Sequence, residues 1–187
     1  GGGTVSGILS AKIQELKDNN ITVVFSAGND SSNLDSDGTT DESELSSVIG
    51  VGASSVENDI TSYSNYGSQI DLIAPAGGNT TDGLLGVLSL DLTGTNGINT
   101  STQLGLVNYN YSFVQGTSFS APTVSGVVAL LLAAKPTLTA NEIRQILIDT
   151  ADKVGTSNGA DYSVNNFDVK RAYGKINAGN AITEALK

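Results

Sequence analysis

The sequence predicts one α/β domain built around a parallel β-sheet, and three observations lead to this fold class. A chain of 187 residues has the length of one domain with a substantial core. Short apolar runs rich in β-branched residues, typical of strands buried on both faces, alternate with segments of helical periodicity. Strands and helices that alternate at this spacing predict parallel βαβ units. No repeat or linker divides the chain, which indicates a single domain.

The first half of the chain contains one predicted helix and three predicted strands. Ser6 to Asn19 carries apolar residues at helical spacing, and Ser6 is its expected N-cap. Three apolar runs are predicted strands: Ile21 to Phe25, Ser47 to Ala53, and Ile70 to Ile73. The last strand should stop at Ala74-Pro75, and the polar, acidic block from Ser26 to Ser46 is predicted to be a loop.

The second half is predicted to hold a peripheral ribbon and three helices. From Ala76 to Ser112 the sequence is rich in Gly, Thr and Asn, and a structureless stretch of that length is unusual. Ribbon strands are therefore expected at Leu84 to Leu92 and at Leu104 to Tyr111. Three segments are predicted helices: Thr117 to Ala134, Ala140 to Ala151, and Asn177 to Leu186. Thr139 and Glu142 form the capping box that opens the second helix.

Composition excludes several classes of partner and site. With 9 Lys and Arg against 19 Asp and Glu, the net charge is −10, so we expect no nucleic-acid partner and repulsion from anionic membranes. The absence of Cys excludes disulfides, thiolate zinc sites and Cys nucleophiles. The absence of His removes the commonest general base and metal ligand. We see no apolar run of transmembrane length and expect no membrane span.

The segment Gln115 to Pro122 places Ser118 at the start of an apolar helix. Free backbone N–H groups and the positive end of the helix dipole stabilise negative charge there, as an attacking oxygen or an oxyanion requires. Pro122 lacks an N–H and fits only near the start of a helix. Taken alone, however, such a motif is more often an ordinary N-cap than a nucleophile.

A second polar motif follows the first predicted strand, where the chain continues into Ala27-Gly28-Asn29. Ligands of open parallel sheets bind at the carboxyl ends of the strands. The amide of Asn29 offers two N–H donors on a short arm, which suits it to hold an oxyanion. The alternative is that Gly-Asn after a strand is simple turn chemistry.

Taken together and in this order, these motifs resemble those of the subtilisin-like serine proteases, the subtilases. Four further segments carry the resemblance: Ser47 to Ala53, Tyr63 to Gly67, Ala74-Pro75, and Tyr173 to Ala178. The resemblance covers essentially the whole chain, and Gly116-Thr117-Ser118 is its most specific part. It implies a three-layer subtilisin-like fold with a parallel sheet. Residues 1–187 would be the C-terminal, nucleophile-bearing part of a single catalytic domain.

The resemblance also implies the roles of individual residues. Ser118 would be the nucleophile of a serine endopeptidase, and Asn29 together with the Ser118 N–H would stabilise the oxyanion. Six residues would contact the polypeptide substrate: Gly1, Gly2, Ser26, Ala27, Gly28 and Thr40. Catalysis would need no cofactor. Asp41-Glu42-Ser43 stands where many relatives carry an aromatic-Pro pair beside the specificity pocket, so no preferred substrate side chain is implied.

The resemblance shows, too, what the chain lacks. Subtilases use an Asp, a His and a Ser in that order along the chain, and this sequence contains no His. We therefore expect the partner to be an N-terminal half of the same protease that carries the Asp and the His. Without them the chain should be nearly inactive. It opens on Gly1-Gly2-Gly3 and has no Met, which favours a fragment or a processed form.

The acidic loop contains a candidate structural calcium site. Four residues have the spacing of a calcium-binding loop, with Asn in place of the first Asp: Asn33, Asp35, Asp37 and Glu44. Strands rather than helices flank the loop, so it is no EF-hand, and a solvated acidic loop is the alternative. Asp71 is a separate candidate, because it matches a position that some relatives use for a peripheral cation.

Two other functions stay open at this point. The chain could be a non-catalytic binding or structural module that keeps the subtilase fold. It could also be a nucleotide-binding α/β domain, since Gly1 to Gly7 is a Gly-rich turn before a helix, although no strand precedes it. A glycosylation sequon at Asn29 would block the proposed oxyanion donor. This favours a bacterial source, and we expect an extracellular or cell-envelope protein.

Overall fold

The computed structural model describes residues 4–78, 86–99 and 110–187, which form an α/β fold. The helices are α1 Gly7–Asp18, α2 Thr117–Ala134, α3 Ala140–Asp149 and α4 Ala178–Ala185. The strands are β1 Val24–Ser26, β2 Ile49–Ser54, β3 Leu72–Pro75, β4 Val87–Leu90 and β5 Tyr111–Val114. Strands β1, β2 and β3 form a parallel sheet in that order, whereas β4 and β5 form a separate antiparallel ribbon.

Strand β2 lies in the middle of the parallel sheet, and all six of its residues are buried. Ile49 and Val51 join the main hydrophobic cluster, in which side chains of α2 also lie. Gly50 and Gly52 alternate with them and so face the other side of the sheet. A Cβ at Gly50 would collide with the carbonyl of Ser43. The alternation of large and absent side chains therefore lets helices cover one face while loops approach the other closely.

Helix α2 packs against all three parallel strands and against α4. Its contribution to the core comes from four apolar residues: Val124, Val127, Val128 and Leu131. By length and composition α2 is long and apolar enough to cross a membrane, with a mean hydropathy of 1.6, and it is the one such helix in the described residues. The sequence-based expectation of no such run is wrong on that measure. Its packing on the sheet is nevertheless that of a core helix.

Most predicted elements are confirmed, but the first predicted strand is shorter than expected. Helix α2 has the predicted bounds, and Ser6 caps α1. The strand predicted at Ile21 to Phe25 begins only at Val24 and is half-buried, with Ile21 50% exposed. The reason is that β1 is an edge strand in the described sheet. Strand β5 starts at Tyr111, where its prediction ended, and residues 79–85 and 100–109 lie outside the described parts.

Candidate active site

The end of β1 meets the start of α2 at a tight corner formed by Gly28. The backbone of Gly28 has φ +98°, which side chains rarely adopt, and a Cβ would lie 2.6 Å from the amide nitrogen of Asn65. The Gly28 N–H donates a hydrogen bond to Oγ1 of Thr117 at 3.1 Å. Only glycine therefore lets this loop pass so close to the helix.

Asn29 is anchored to the first residue of α2. Its Oδ1 accepts hydrogen bonds from the backbone N–H of Thr117 at 2.9 Å and from the Thr117 hydroxyl at 3.0 Å. Two donors on the oxygen fix the orientation of the amide, so its Nδ2 faces away from Thr117. Within the described residues Nδ2 donates to no acceptor, and Asn29 is exposed. Both of its N–H donors are thus available to a ligand, as an oxyanion donor requires.

Ser118 stands in the first turn of α2 with an exposed side chain. The neighbouring N–H groups are already used, since that of Thr117 goes to Asn29 and that of Phe119 to the Gly116 carbonyl at 2.9 Å. The N–H of Ser118 finds no acceptor in the described part of the chain. Ser118 therefore combines a free hydroxyl and a free backbone donor at the positive end of an 18-residue helix.

A pocket of about 230 Å³ lies at this corner, lined by Asn29, Tyr63, Gln115 and Gly116. The hydroxyl of Tyr63 accepts a hydrogen bond from the Gly116 N–H at 3.0 Å and donates one to the Gly77 carbonyl at 2.9 Å. Burial raises the pKa of Tyr63, so the hydroxyl keeps the proton that it donates. Tyr63 thereby fixes the residue that precedes the helix.

Asn65 is a positioning residue that sequence reasoning missed. Its side chain is buried, donating to the Ala27 carbonyl at 2.9 Å and accepting from the N–H groups of Asp30 at 2.8 Å and Ser32 at 3.0 Å. These bonds hold the backbone on both sides of Asn29. A polar Ser-Asn-Tyr-Gly run gives no signal of this role.

The predicted substrate contacts lie in different surroundings. Gly1 and Gly2 fall outside the described residues. The N–H and carbonyl of both Ala27 and Gly28 bond within the protein, to Val51, Asn65 and Thr117. A substrate could therefore touch Ala27 and Gly28 but not form backbone hydrogen bonds with those same groups without breaking internal ones.

Ser26 directly precedes Ala27, whereas Thr40 follows Gly28 at a greater distance along the chain. Ser26 is the half-buried last residue of β1. Thr40 is exposed, and its carbonyl accepts a hydrogen bond from the Val5 N–H at 2.7 Å. The structure thus brings Thr40 next to the segment that follows the predicted contacts Gly1 and Gly2.

The four predicted calcium ligands of the acidic loop do not converge. Each one has its own local hydrogen bond from a backbone N–H: Asp35 to Asn33 at 3.2 Å, Ser68 to Asp35 at 2.9 Å, Thr39 to Asp37 at 2.8 Å, and Asp41 to Glu44 at 2.8 Å. No group of three acidic side chains that could hold a metal ion occurs among residues 4–78, 86–99 and 110–187. As arranged, these side chains accept separate backbone hydrogen bonds, and no three of the acidic groups meet at one point.

Asp71, the other predicted cation ligand, is buried and paired. Its Oδ1 lies 2.5 Å from Nη2 of Arg144, and its Oδ2 accepts from the Gly50 N–H at 3.1 Å. Burial raises the pKa of Asp71, although the Arg144 guanidinium acts in the opposite direction. A guanidinium therefore already supplies the positive charge beside this carboxylate.

Comparisons with known proteins agree with this geometry. A family described as "Subtilase family" matches residues 2–175. The chain is 33% identical over 94% of its length to the "Probable subtilase-type serine protease" of Deinococcus radiodurans. It is 32% identical over 88% of its length to the "Calcium-dependent protease" of Trichormus variabilis. A solved protease structure from Pseudoalteromonas arctica superposes over 99% of the chain, with a TM-score of 0.76 and 31% identity.

These matches are partial on the side of the relatives. The chain spans 22% and 24% of the length of the two curated relatives, and 49% of the solved structure. The likeness therefore describes one portion of proteins that are considerably longer.

Proposed function

This chain belongs to the subtilase family, and on that premise we propose that it is the nucleophile-bearing, C-terminal part of the catalytic domain of a serine endopeptidase. The observation that carries the proposal is the anchored amide of Asn29. Two hydrogen bonds from Thr117 hold its oxygen, and its N–H groups stay free next to the exposed hydroxyl of Ser118. An ordinary cap or turn would not need this arrangement.

The proposed reaction is peptide-bond hydrolysis through an acyl-enzyme. The Ser118 oxygen attacks the carbonyl carbon of the substrate while a general base takes its proton. The negative charge then develops on the former carbonyl oxygen, where Asn29 Nδ2 and the Ser118 N–H can donate to it. That proton passes to the leaving amine, and water attack on the ester releases the second product.

We propose that the general base comes from outside these 187 residues, because the sequence contains no His, the usual base of this family. We propose that an N-terminal half of the same protease supplies the His and the Asp and pairs with the free edge of β1. Two features support this. Strand β1 pairs only with β2 among the described strands, and its residues are half-buried. Ile8 on the nearby helix α1 is 83% exposed, which leaves apolar surface for that partner to cover.

Covalent labelling of the full-length protein tests the proposal. A fluorophosphonate probe should modify Ser118, identified by mass spectrometry of the labelled peptide, and Ser118→Ala should abolish both labelling and peptide hydrolysis. Ser120→Ala is the matched control, because Ser120 lies in the same helical turn but is fully buried. It should label normally.

A full-length protein with an intact Asp and His that neither labels nor hydrolyses peptides would overturn the endopeptidase assignment. The chain would then be a non-catalytic module with a subtilase fold. Labelling that persists in Ser118→Ala would instead move the nucleophile to another residue.

The relatives described above are bacterial, and we propose a bacterial protein located outside the cytoplasm or in the cell envelope. Cell fractionation with an antibody against this domain tests the location. We propose no calcium site at the acidic loop or at Asp71, since the side chains there are committed to turns and to Arg144. The name of one relative mentions calcium, but these residues give that ion no built position.

A further inference from the structure

The ribbon of β4 and β5 exposes three apolar side chains of one face, Leu88, Leu90 and Tyr111, and half-buries the fourth, Phe113. Leu88 pairs with Phe113 and Leu90 with Tyr111, so these four side chains share one face. The opposite face carries Val87, Ser89, Ser112 and Val114. A two-stranded ribbon that packs on a protein normally turns its apolar face inward.

In this ribbon a polar side chain is buried while apolar side chains are exposed. Ser112 is 1% exposed, whereas Leu88 is 52% and Leu90 81% exposed. The tip continues the pattern, because Leu92 and Ile98 are also exposed. An apolar face that stays outward on an ordered ribbon indicates a surface made for contact.

The tip of the ribbon is a built structure. The carboxylate of Asp91 accepts hydrogen bonds from the backbone N–H groups of Leu92 at 2.8 Å, Ile98 at 3.1 Å and Asn99 at 2.7 Å. Bonds from the Asn99, Ile98 and Leu92 N–H groups hold the pKa of Asp91 below its usual range. The exposed leucine and isoleucine side chains are thus displayed from a fixed backbone.

The apolar face is continuous with the candidate active site. Strand β5 ends at Val114, and the next two residues, Gln115 and Gly116, line the pocket beside Asn29. Tyr63, another lining residue, bonds to both Gly77 and Gly116. It therefore holds at the pocket the two residues between which the chain leaves for the ribbon and returns from it. A polypeptide that occupies the pocket therefore has the ribbon directly alongside.

We propose that the outer face of the ribbon, formed by Leu88, Leu90, Tyr111 and Phe113, is an accessory binding surface for an apolar segment of the polypeptide substrate. The proposal rests on the endopeptidase function proposed above. Charge disfavours an anionic membrane and a second copy of this chain as occupants. No Lys or Arg occurs between Lys17 and Lys135 to attract an anionic membrane, and two copies with a charge of −10 repel each other.

Steady-state kinetics of the full-length enzyme tests the surface. The substrates are a minimal cleavable peptide and two extended versions, one with an alternating Leu/Ser extension and one with a Ser-only extension, each placed on either side of the scissile bond. On one side the Leu-containing extension should lower KM about tenfold relative to the Ser-only extension, with kcat unchanged. The double variant Leu88→Ser/Leu90→Ser should remove this difference and cleave the minimal peptide normally.

Leu186→Ser is the matched control, since Leu186 is 64% exposed and follows α4, away from the ribbon along the chain. It should keep the tenfold difference. The proposal is overturned if the double variant keeps the difference as well. A lower melting temperature of the double variant would overturn it too, by showing that another part of the full-length protein covers the face. Leu90-dependent dimerisation or vesicle binding would do the same.

Failure of the surface and failure of the proposed function give different results. An enzyme that cleaves the minimal peptide without any preference for leucine is an endopeptidase without this surface. If no peptide is cleaved, fluorescence anisotropy of the labelled Leu extension with Ser118→Ala protein still reports binding. Leu-dependent binding that the double substitution removes would support the surface without catalysis, and its absence would overturn it.

Discussion

The two flanks of the parallel sheet differ in how completely their apolar side chains are buried. Around β2 and β3 the core is closed, and Leu72, Leu131 and Ile143 are fully buried beneath α2 and α3. Around β1 and α1 the strand is half-buried, and Ile8 and Ile21 face solvent. One flank buries its apolar side chains, while the other leaves some of them exposed.

The candidate site joins the well-packed helix α2 to the half-buried flank. Ser118 lies in the first turn of α2, which packs on all three parallel strands, whereas Asn29 follows the half-buried strand β1. The hydrogen bonds between Thr117 and Asn29 join the two. The geometry of the candidate site therefore depends on the half-buried flank as much as on helix α2.

The largest effect should come from adding the proposed N-terminal half, which would pair with the free edge of β1. The chain expressed alone should hydrolyse no peptide above background and should aggregate, because it has no general base and an uncovered strand edge. Co-expression with the N-terminal half should restore both solubility and activity. Analytical ultracentrifugation and a peptidase assay measure the two results. A monodisperse lone chain that melts cooperatively as a monomer would show that the flank needs no partner.

The second largest effect should come from removing the proposed oxyanion donor, Asn29. In the full-length enzyme, Asn29→Ala should lower kcat by roughly a hundred- to a thousand-fold, because one oxyanion hydrogen bond is lost in the transition state. KM should change little, since the ground state does not use that bond. A kcat reduction below about fivefold, far short of that loss, would remove Asn29 from the oxyanion site.

The link between the flanks can be weakened without touching either functional group. Thr117→Val keeps the shape of the side chain but deletes the hydroxyl that bonds to Asn29 and Gly28. It should lower kcat about tenfold and the free energy of unfolding by about 1–3 kcal/mol, since a buried N–H loses its acceptor. Thr123→Val, whose hydroxyl bonds only to the Phe119 carbonyl of its own helix, is the control. Equal kcat values for the two variants would contradict the link.

The smallest effect concerns pH and the ion pair between Arg171 and Asp59, in which Nε of Arg171 lies 2.5 Å from Oδ1 of Asp59. Burial raises the pKa of Asp59, but hydrogen bonds from Arg171 and Asn158 outweigh it and leave the pKa below 3.8, its ordinary value. Because the folded-state pKa is lowered, the stabilisation is present above pH 3.8 and is lost as pH falls through the folded-state pKa. Asp59→Asn should cost about 1.5 kcal/mol at pH 7.

Urea unfolding from pH 7 down to pH 2 tests this linkage. The stability of wild type and of Asp59→Asn should converge at the acidic end. A difference that stays constant over the whole range would show that Asp59 stabilises the fold by packing rather than by its charge.

The places of Ser118 and Asn29 in the fold could be predicted because their signal is local, whereas their expected roles came from the resemblance to the subtilases. Gly116-Thr117-Ser118 before an apolar run and Gly28-Asn29 after a strand follow from helix-terminus and strand-end chemistry, and the capping box at Thr139 is likewise a short-range pattern. Helix α2 has its predicted bounds for the same reason.

The positioning residues could not be predicted, because their partners lie far along the chain. Asn65 bonds across 38 residues to Ala27, and Tyr63 across 53 residues to Gly116. The acidic loop shows the same limit for the predicted calcium ligands. Its spacing is that of a calcium-binding loop, but Asp35, Asp37 and Glu44 each accept a hydrogen bond from a different backbone N–H. Residue order alone does not show where each carboxylate finds its donors.

The hydroxyl of Tyr63 bonds to Gly77 and Gly116 and so holds the two ends of the segment between them at one place. Between two fixed ends the entropic cost of added length is small, about 0.6 kcal/mol for each doubling. Foreign sequence such as an epitope or a reporter domain can therefore be grafted between Thr93 and Gly97, at the tip, while the geometry at Ser118 is set independently at the base.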